Sequence, residues 1–194
     1  MSFDQHSMLD DVDAALSLIQ KGEIVAIKGL GGYHLACDAT KRETVKRLRT
    51  LKVRDSKPFA LMACDLDIIR DYCTVSDDEE QLLTSPQGPI VLLRADGLKQ
   101  LPDAVAPGLT TLGFMLPTTP LHFVMLRRME RPVVMTSGNL SDEPQAIDDD
   151  DARKRLCGIA TYALVHDRRI VNRIDDSVVR MMGGKPRLLR RARG

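Results

Sequence analysis

The sequence predicts an α/β fold on two observations. Helix-like and strand-like segments alternate from one end of the chain to the other, and two short polar motifs, Lys52-Val53-Arg54 and Ser137-Gly138-Asn139, each close an apolar segment. Open α/β sheets hold ligands in loops beyond the carboxyl ends of strands, so the second observation points to a site as well as a fold.

The elements follow in order. Val12, Ala15, Leu16 and Ile19 recur at helical spacing after Asp10-Asp11, and Lys21-Gly22 closes that helix before a β-branched strand over residues 24–27. The glycine turn Gly29-Leu30-Gly31-Gly32 leads into a short strand at 33–37. Thr40 and Glu43 have the Thr-x-x-Glu spacing of a capping box, which opens a helix with the apolar stripe Val45, Leu48 and Leu51. Lys52 and Arg54 then fall at or just past its C-terminus. Buried strands are expected at 59–63 and 89–93, with helical segments between them around Ile68-Ile69 and from a second box, Ser76 with Glu79. A short apolar run beyond Gly113, a helix over 120–126 and a strand over 132–135 come next, with Ser137 beginning where that strand ends. A helix over 152–156 and strands at 162–165 and 177–180 complete the pattern.

Composition sets bounds on size and partners. At 194 residues, 43% of them hydrophobic, the chain can bury one good core, so residues 1–194 are expected to form a single domain. A net charge of +1 gives no whole-surface grip on nucleic acid, and any basic patch must be local. Cys37, Cys64, Cys73 and Cys157 show neither Cys-x-x-Cys pairing nor a histidine at zinc-ligand spacing, which points to reduced thiols in a cytoplasm. The start, Met1 to His6, has neither the basic residues nor the apolar run of a signal peptide, and no stretch is long enough to span a bilayer. The expected location is cytoplasmic, with no membrane partner.

Three cations crowd the first motif as it continues Arg54-Asp55-Ser56-Lys57-Pro58, while hydroxyls, an amide and a glycine crowd the second. Together they suit a polyphosphate, with fixed positive charge on one wall and close hydrogen-bond donors on the other. A solvated helix end would account for Lys52 and Arg54 equally well, since the dipole there favours cations. The glycine turn is neither a full Gly-x-Gly-x-x-Gly nor a Walker loop, and its spacing fits a tight strand-to-strand turn better than a phosphate loop. A histidine such as His34 is more often a hydrogen-bonded core residue than a catalyst, and its place beside the glycines narrows that difference. The Asp148-Asp149-Asp150-Asp151 run reads as the start of a helix complementing its dipole, with no metal site expected. Charges and hydroxyls at 166–177 are expensive to bury without partners, which a site wall would explain. The basic tail from Lys185 to Arg193 is either a nucleic-acid arm or an interdomain edge strand.

Lys52-x-Arg54 with Ser137-x-Asn139 resembles the paired signature of the YrdC-like nucleotide-binding domains, and more specifically the YrdC-like domain of the hydrogenase-maturation carbamoyltransferases. The resemblance spans nearly the whole chain. It is carried by residues 28–39, by Lys57-Pro58-Phe59-Ala60, by Leu116-Pro117 with Thr119-Pro120-Leu121-His122, and by 136–144 and 166–180. Thr118 stands where an aromatic residue is common, and Val171 where a histidine is common.

The resemblance implies a twisted mixed sheet flanked by helices around a basic concave cavity. It implies ATP and Mg2+ as ligands, carbamate or carbamoyl phosphate as acyl source, and transfer of the carbamoyl group to a downstream acceptor maturation protein. Lys52 and Arg54 would hold the triphosphate with Lys57 in support; Ser137 and Asn139 would bind phosphate oxygens or a magnesium water; Arg173 would close the far wall; and His34 would meet the carbamoyl end. Such domains sit within longer multidomain proteins, so the chain is expected to be an excised piece or a truncated relative. One alternative is threonylcarbamoyl-adenylate synthesis for tRNA modification, whose Pro-Thr-x-Thr-x-Tyr-Gly-Leu-like stretch does not match residues 27–33. The other is a non-catalytic RNA-binding module using the basic cavity, in its double-stranded form weakened by the near-neutral net charge and in a single-stranded form by 4% aromatic content, which supplies few stacking platforms.

Overall fold

The computed structural model describes residues 8–141 and 143–192. The N-terminal hexapeptide and the Arg193-Gly194 end of the basic tail lie outside the described residues. The strands are β1 (Val25–Lys28), β2 (Tyr33–Asp38), β3 (Ala60–Met62), β4 (Ile90–Arg94), β5 (Thr111–Met115), β6 (Val133–Ser137), β7 (Tyr162–Leu164), β8 (Val178–Met182) and β9 (Lys185–Arg190). They form one mixed sheet in the order β7-β1-β2-β6-β3-β5-β4-β8-β9. Parallel pairs, β1 with β7, β3 with β5 and β4 with β8, interrupt an otherwise antiparallel ladder.

Helices α1 (Met8–Lys21), α2 (Arg42–Leu51), α3 (Leu66–Tyr72), α4 (Asp77–Leu83), α5 (Pro120–Leu126) and α6 (Asp149–Leu156) cover the sheet. Side chains alternate between faces along each strand, and this period sorts the core into two layers. Leu61 and Phe114 point toward the layer that holds Val45 and Leu48 of α2, Ile69 of α3, Leu83 of α4 and Leu156 of α6. Their neighbours Met62 and Met115 point the other way, into the layer that holds Leu16 and Ile19 of α1 and Met125 of α5. Four helices cover one face and only two the other, where α1 packs against α5. Part of that second face, over β3, β5 and β4, is left to form the floor of a cavity.

Two expectations are corrected, and one left open from sequence is decided. The Thr40–Glu43 capping box does not form: Thr40 Oγ1 and its backbone N–H both donate to Oδ1 of the buried Asp38, and Lys41 becomes the N-cap of α2 without a side-chain cap. Asp38 outcompetes the helix because Thr40 lies two residues on, within reach of an Asx turn. Ser137 is the last residue of β6 and so sits inside the ladder, opposite His34 of β2. The basic tail, to the extent that it is described, is β9, the end strand of the sheet. The Ser76–Glu79 box does form, with Glu79 Oε2 accepting from the Ser76 backbone N–H at 2.9 Å.

Candidate functional site

The two polar motifs meet because α2 ends where β6 ends. Helix α2 closes in a Schellman turn, in which the Arg54 N–H donates to the Arg49 carbonyl and the Val53 N–H to that of Thr50. That turn needs a left-handed residue, and Val53 supplies it at φ 51°. A β-branched residue is costly there, of the order of 1–2 kcal/mol. The turn sends Lys52 inward and Arg54 toward the cavity.

Lys52 is almost fully buried, and its ammonium donates to the Ser137 carbonyl at 2.6 Å, the Asn139 carbonyl at 2.5 Å and Asn139 Oδ1 at 2.7 Å. Its own carbonyl accepts from the N–H and hydroxyl of Ser141. Ser137 Oγ also donates to Asn139 Oδ1, at 2.6 Å. Burial, and next the Arg54 cation, push Lys52 down to about 7, while three acceptors favour its charged form. Gly138 lets the loop press on β2: its N–H donates to the Tyr33 carbonyl, and a Cβ there would clash with that peptide group.

Arg54 donates through Nε to the Lys57 carbonyl and through Nη2 to that of Pro58, and lies 5.4 Å from the Phe59 ring centre. Sequence reading missed what holds this loop. Arg49 donates to the carbonyls of Arg54, Asp55 and Lys57 on one side and of Ala104 and Val105 on the other, stacking on Phe59 at 4.6 Å. Its position in the last turn of α2 offered only a dipole reading.

A cavity of about 360 Å³ opens between these elements, lined by Arg54, Lys57 and Ser137 with Ala60 and Gly113 on its floor. That is within the range of small-ligand sites. Asp175, Asp176 and Arg190 close its other side. A second cavity of about 90 Å³ adjoins it at Asp176 and is lined by His34, Thr118 and His122, whose imidazoles sit edge to face at 6.0 Å. The glycine turn is the β1–β2 hairpin, closed by Gly29 N–H to the Gly32 carbonyl. Gly31 touches the passing strap at 165–177, where a side chain would strike Ile174.

The sequence-predicted residues thus divide. Arg54, Lys57 and Ser137 line the larger cavity and His34 the smaller, whereas Lys52 and Asn139 brace the loop behind Ser137. Arg173 is turned to the Gln145 carbonyl, at 2.9 Å. The charges of the strap stay mostly in water, and it is Asp175 and Asp176 that contribute to the wall. Val171 is exposed and outside both cavities. His122 stood in the sequence as the end of the Thr119-Pro120-Leu121-His122 stretch of the resemblance, with no role assigned, and its place at the cavity appears only when α5 docks on the sheet. The aspartate run behaves as expected at Asp148, which caps α6 by accepting from the N–H groups of Asp150 and Asp151. Asp149 departs from the dipole reading, because its carboxylate takes the buried Lys28 ammonium at 2.7 Å and the Tyr33 hydroxyl at 2.7 Å. Among the described residues no group of three or more histidine, cysteine or acidic side chains is placed to hold a metal ion, and no helix is long and apolar enough to cross a membrane.

A mixed α/β domain with a cavity at the end of a β-strand, walled by Arg54 and Lys57 on one side and by Asp175, Asp176 and Arg190 on the other, and with a small imidazole-lined annex, has the form of a polar small-ligand site. The chain belongs to the Sua5/YciO/YrdC family, described as "Telomere recombination", whose family model matches residues 17–192. It is 50% identical over 185 residues to the carbamoyltransferase HypF of Rhodobacter capsulatus and 48% identical over 180 residues to that of Synechocystis. These matches cover 95% and 93% of this chain but 24% of each relative, so the chain spans about a quarter of their length. A crystal structure of full-length HypF in its phosphate- and nucleotide-bound form superposes with a TM-score of 0.91 at 45% identity, covering 94% of this chain and 29% of that one. The threonylcarbamoyl-AMP synthase of Bacillus subtilis is more distant, at 27% identity over 67% of this chain and 38% of its own length.

Proposed function

We propose that this chain is the nucleotide-handling domain of a longer carbamoyltransferase, binding ATP in the larger cavity and joining it to carbamate. A carbamate oxygen attacks the α-phosphorus, pyrophosphate leaves, and carbamoyl-AMP remains for transfer to a downstream acceptor, in the service of cyanide-ligand synthesis for a [NiFe] hydrogenase. Carbamoyl phosphate is the original carbamoyl source. The observation that carries this reading is the paired cavity: one volume walled by Arg54 and Lys57 opposite Ser137, and beside it, across the shared Asp176, a smaller one at His34. The nucleotide-bound form of the similar HypF structure supports it.

The chemistry asks chiefly for charge neutralisation and positioning. Arg54 and Lys57 face the phosphates, and the Ser137 hydroxyl approaches from the end of β6. Lys52 adds positive charge from behind that strand end while holding Asn139 in place. Asp175 and Asp176 would repel a bare triphosphate, so magnesium is expected to enter with ATP and to lie on their side. Carbamate and its adenylate are short-lived in water, which gives an enclosed annex its use.

The test is ATP–pyrophosphate exchange by the purified domain with carbamate, with carbamoyl phosphate, and with threonine plus bicarbonate. Carbamate-dependent exchange is expected, and carbamoyl phosphate should fail if a neighbouring domain must first release carbamate from it. Exchange that requires threonine would move the chain to the tRNA-modification reading. Tight, salt-dependent binding of double-stranded RNA with no nucleotide binding would overturn both.

A further inference from the structure

The floor of the paired cavity is stepped, and the step comes from strand periodicity. Ala60 and Met62 of β3 point to the same face, as do Gly113 and Met115 of β5, and the parallel register sets Ala60 beside Gly113 and Met62 beside Met115. The larger cavity lies over the alanine and the glycine, whereas the two methionines line the smaller one. Both methionines are fully buried in the layer beneath α1 and α5. They fill the space that a longer acyl group would need. Above them His34, Thr118 and His122 offer polar atoms from three separate segments, and Asp176 joins the two volumes.

We infer that Met62 and Met115 set acyl specificity, making the smaller cavity a pocket for an unsubstituted carbamoyl head and excluding any acyl group that extends beyond it. The inference rests on the carbamoyl-adenylate reading and adds the residues that choose the acyl group. A volume of about 90 Å³ holds a small planar head. It does not hold a head extended by an amino-acid side chain and carboxylate. Met62 and Met115 are themselves close-packed beneath α1 and α5 and give little ground, so a head lengthened toward them meets them from its first added methyl group.

The probes are unreactive adenylate mimics, adenosine 5′-sulfamates acylated on nitrogen with either a carbamoyl or an N-methylcarbamoyl group, with binding measured by calorimetry. The wild-type domain is expected to bind the N-methyl mimic at least about tenfold more weakly. In Met62→Ala or Met115→Ala, checked for folding by thermal melting, that gap should shrink to about threefold or less, as expected once the contact that rejects the methyl is gone. Met62→Val and Met115→Val are the milder substitutions, should an alanine variant fail to fold, and should narrow the gap by less. Equal binding of both mimics by the wild type would overturn the inference and leave the carbamoyl-adenylate reading standing. A gap unchanged in every folded methionine variant would also overturn it. Failure of the wild type to bind either mimic would remove the inference together with the reading on which it rests.

Discussion

Arg54 borders the cavity while its Nε and Nη2 groups are engaged by the Lys57 and Pro58 carbonyls, so its orientation belongs to the loop, and the loop belongs to Arg49. Arg54→Ala is expected to weaken ATP binding roughly ten- to a hundredfold, the loss of about 1.5–3 kcal/mol from a hydrogen bond to a charged oxygen. Arg49→Lys keeps the charge but loses the planar fork that holds carbonyls on two sides, and should weaken ATP binding by a smaller factor. The decisive measurement is the double variant. If Arg49 acts through Arg54, its substitution should cost little more once Arg54 is gone, whereas additive losses would mean that Arg49 only supports the fold.

Lys52 gives a pH dependence. Its free-state value near 7 means that much of it is neutral above that pH, and a triphosphate nearby favours the charged form, so ATP binding at about pH 7.5 should take up a fraction of a proton. Affinity should then fall as the pH rises above 7. Calorimetry in buffers of different ionisation enthalpy would show the uptake, and Lys52→Arg, cationic throughout, should abolish the difference. The same linkage acts on folding with the opposite trend: between about 7 and the unfolded value of 10.5 the unfolded chain binds the extra proton, so stability without ATP should rise with pH across that window.

Short elements are placed here by side chains that cross between them. The Schellman turn of α2 and the end of β6 are tied in both directions, by the Lys52 ammonium and by the Lys52 carbonyl. A second tie lies at the hairpin between β1 and β2, where Asp149 at the start of α6 accepts from Lys28 and Tyr33 and holds that helix against the sheet. Lys28 also donates to the His166 carbonyl, so the tie reaches the beginning of the strap. The Lys28 hydrogen bond foremost, with Tyr33 adding to it, lowers the Asp149 carboxyl below the usual carboxylate range. Its stabilising contribution is therefore complete above the unfolded carboxylate pKa near 4 and is lost as the pH falls through the lower folded value. Asp149→Asn should cost about 1–3 kcal/mol, because it leaves the buried Lys28 ammonium with the His166 carbonyl but without its counter-charge. The figure lies below that for a fully buried pair because the Asp149 side chain is 59% exposed. Denaturant melts at neutral pH check it, and an unchanged midpoint would return Asp149 to the dipole role assigned to it from sequence.

At the scale of the molecule, the cavity exists because the helices of the described residues are shared unequally between two faces of one sheet. The alternation of apolar runs determined the α/β class, and local signals determined most elements: the Ser76–Glu79 box, the Thr119-Pro120 start of α5 and the β-branched run before Gly29 all act within a few residues. The two polar motifs were legible for the same reason, since charge and hydroxyl content is a property of the chain. Tertiary structure decided which members line the cavity. Lys52 and Asn139 read from sequence as equals of Arg54 and Ser137, yet burial of Lys52 made the pair the brace behind the loop, because an ammonium out of water must find acceptors and Ser137 and Asn139 supply three. Arg49, His122 and the methionine step were not legible as parts of a site, for Arg49 joins its own loop to the distant Ala104 carbonyl, His122 meets His34 only once α5 docks, and the step depends on strand register. A capping box can be written into four residues, but a cavity is the space between elements, and its shape is fixed only when they pack.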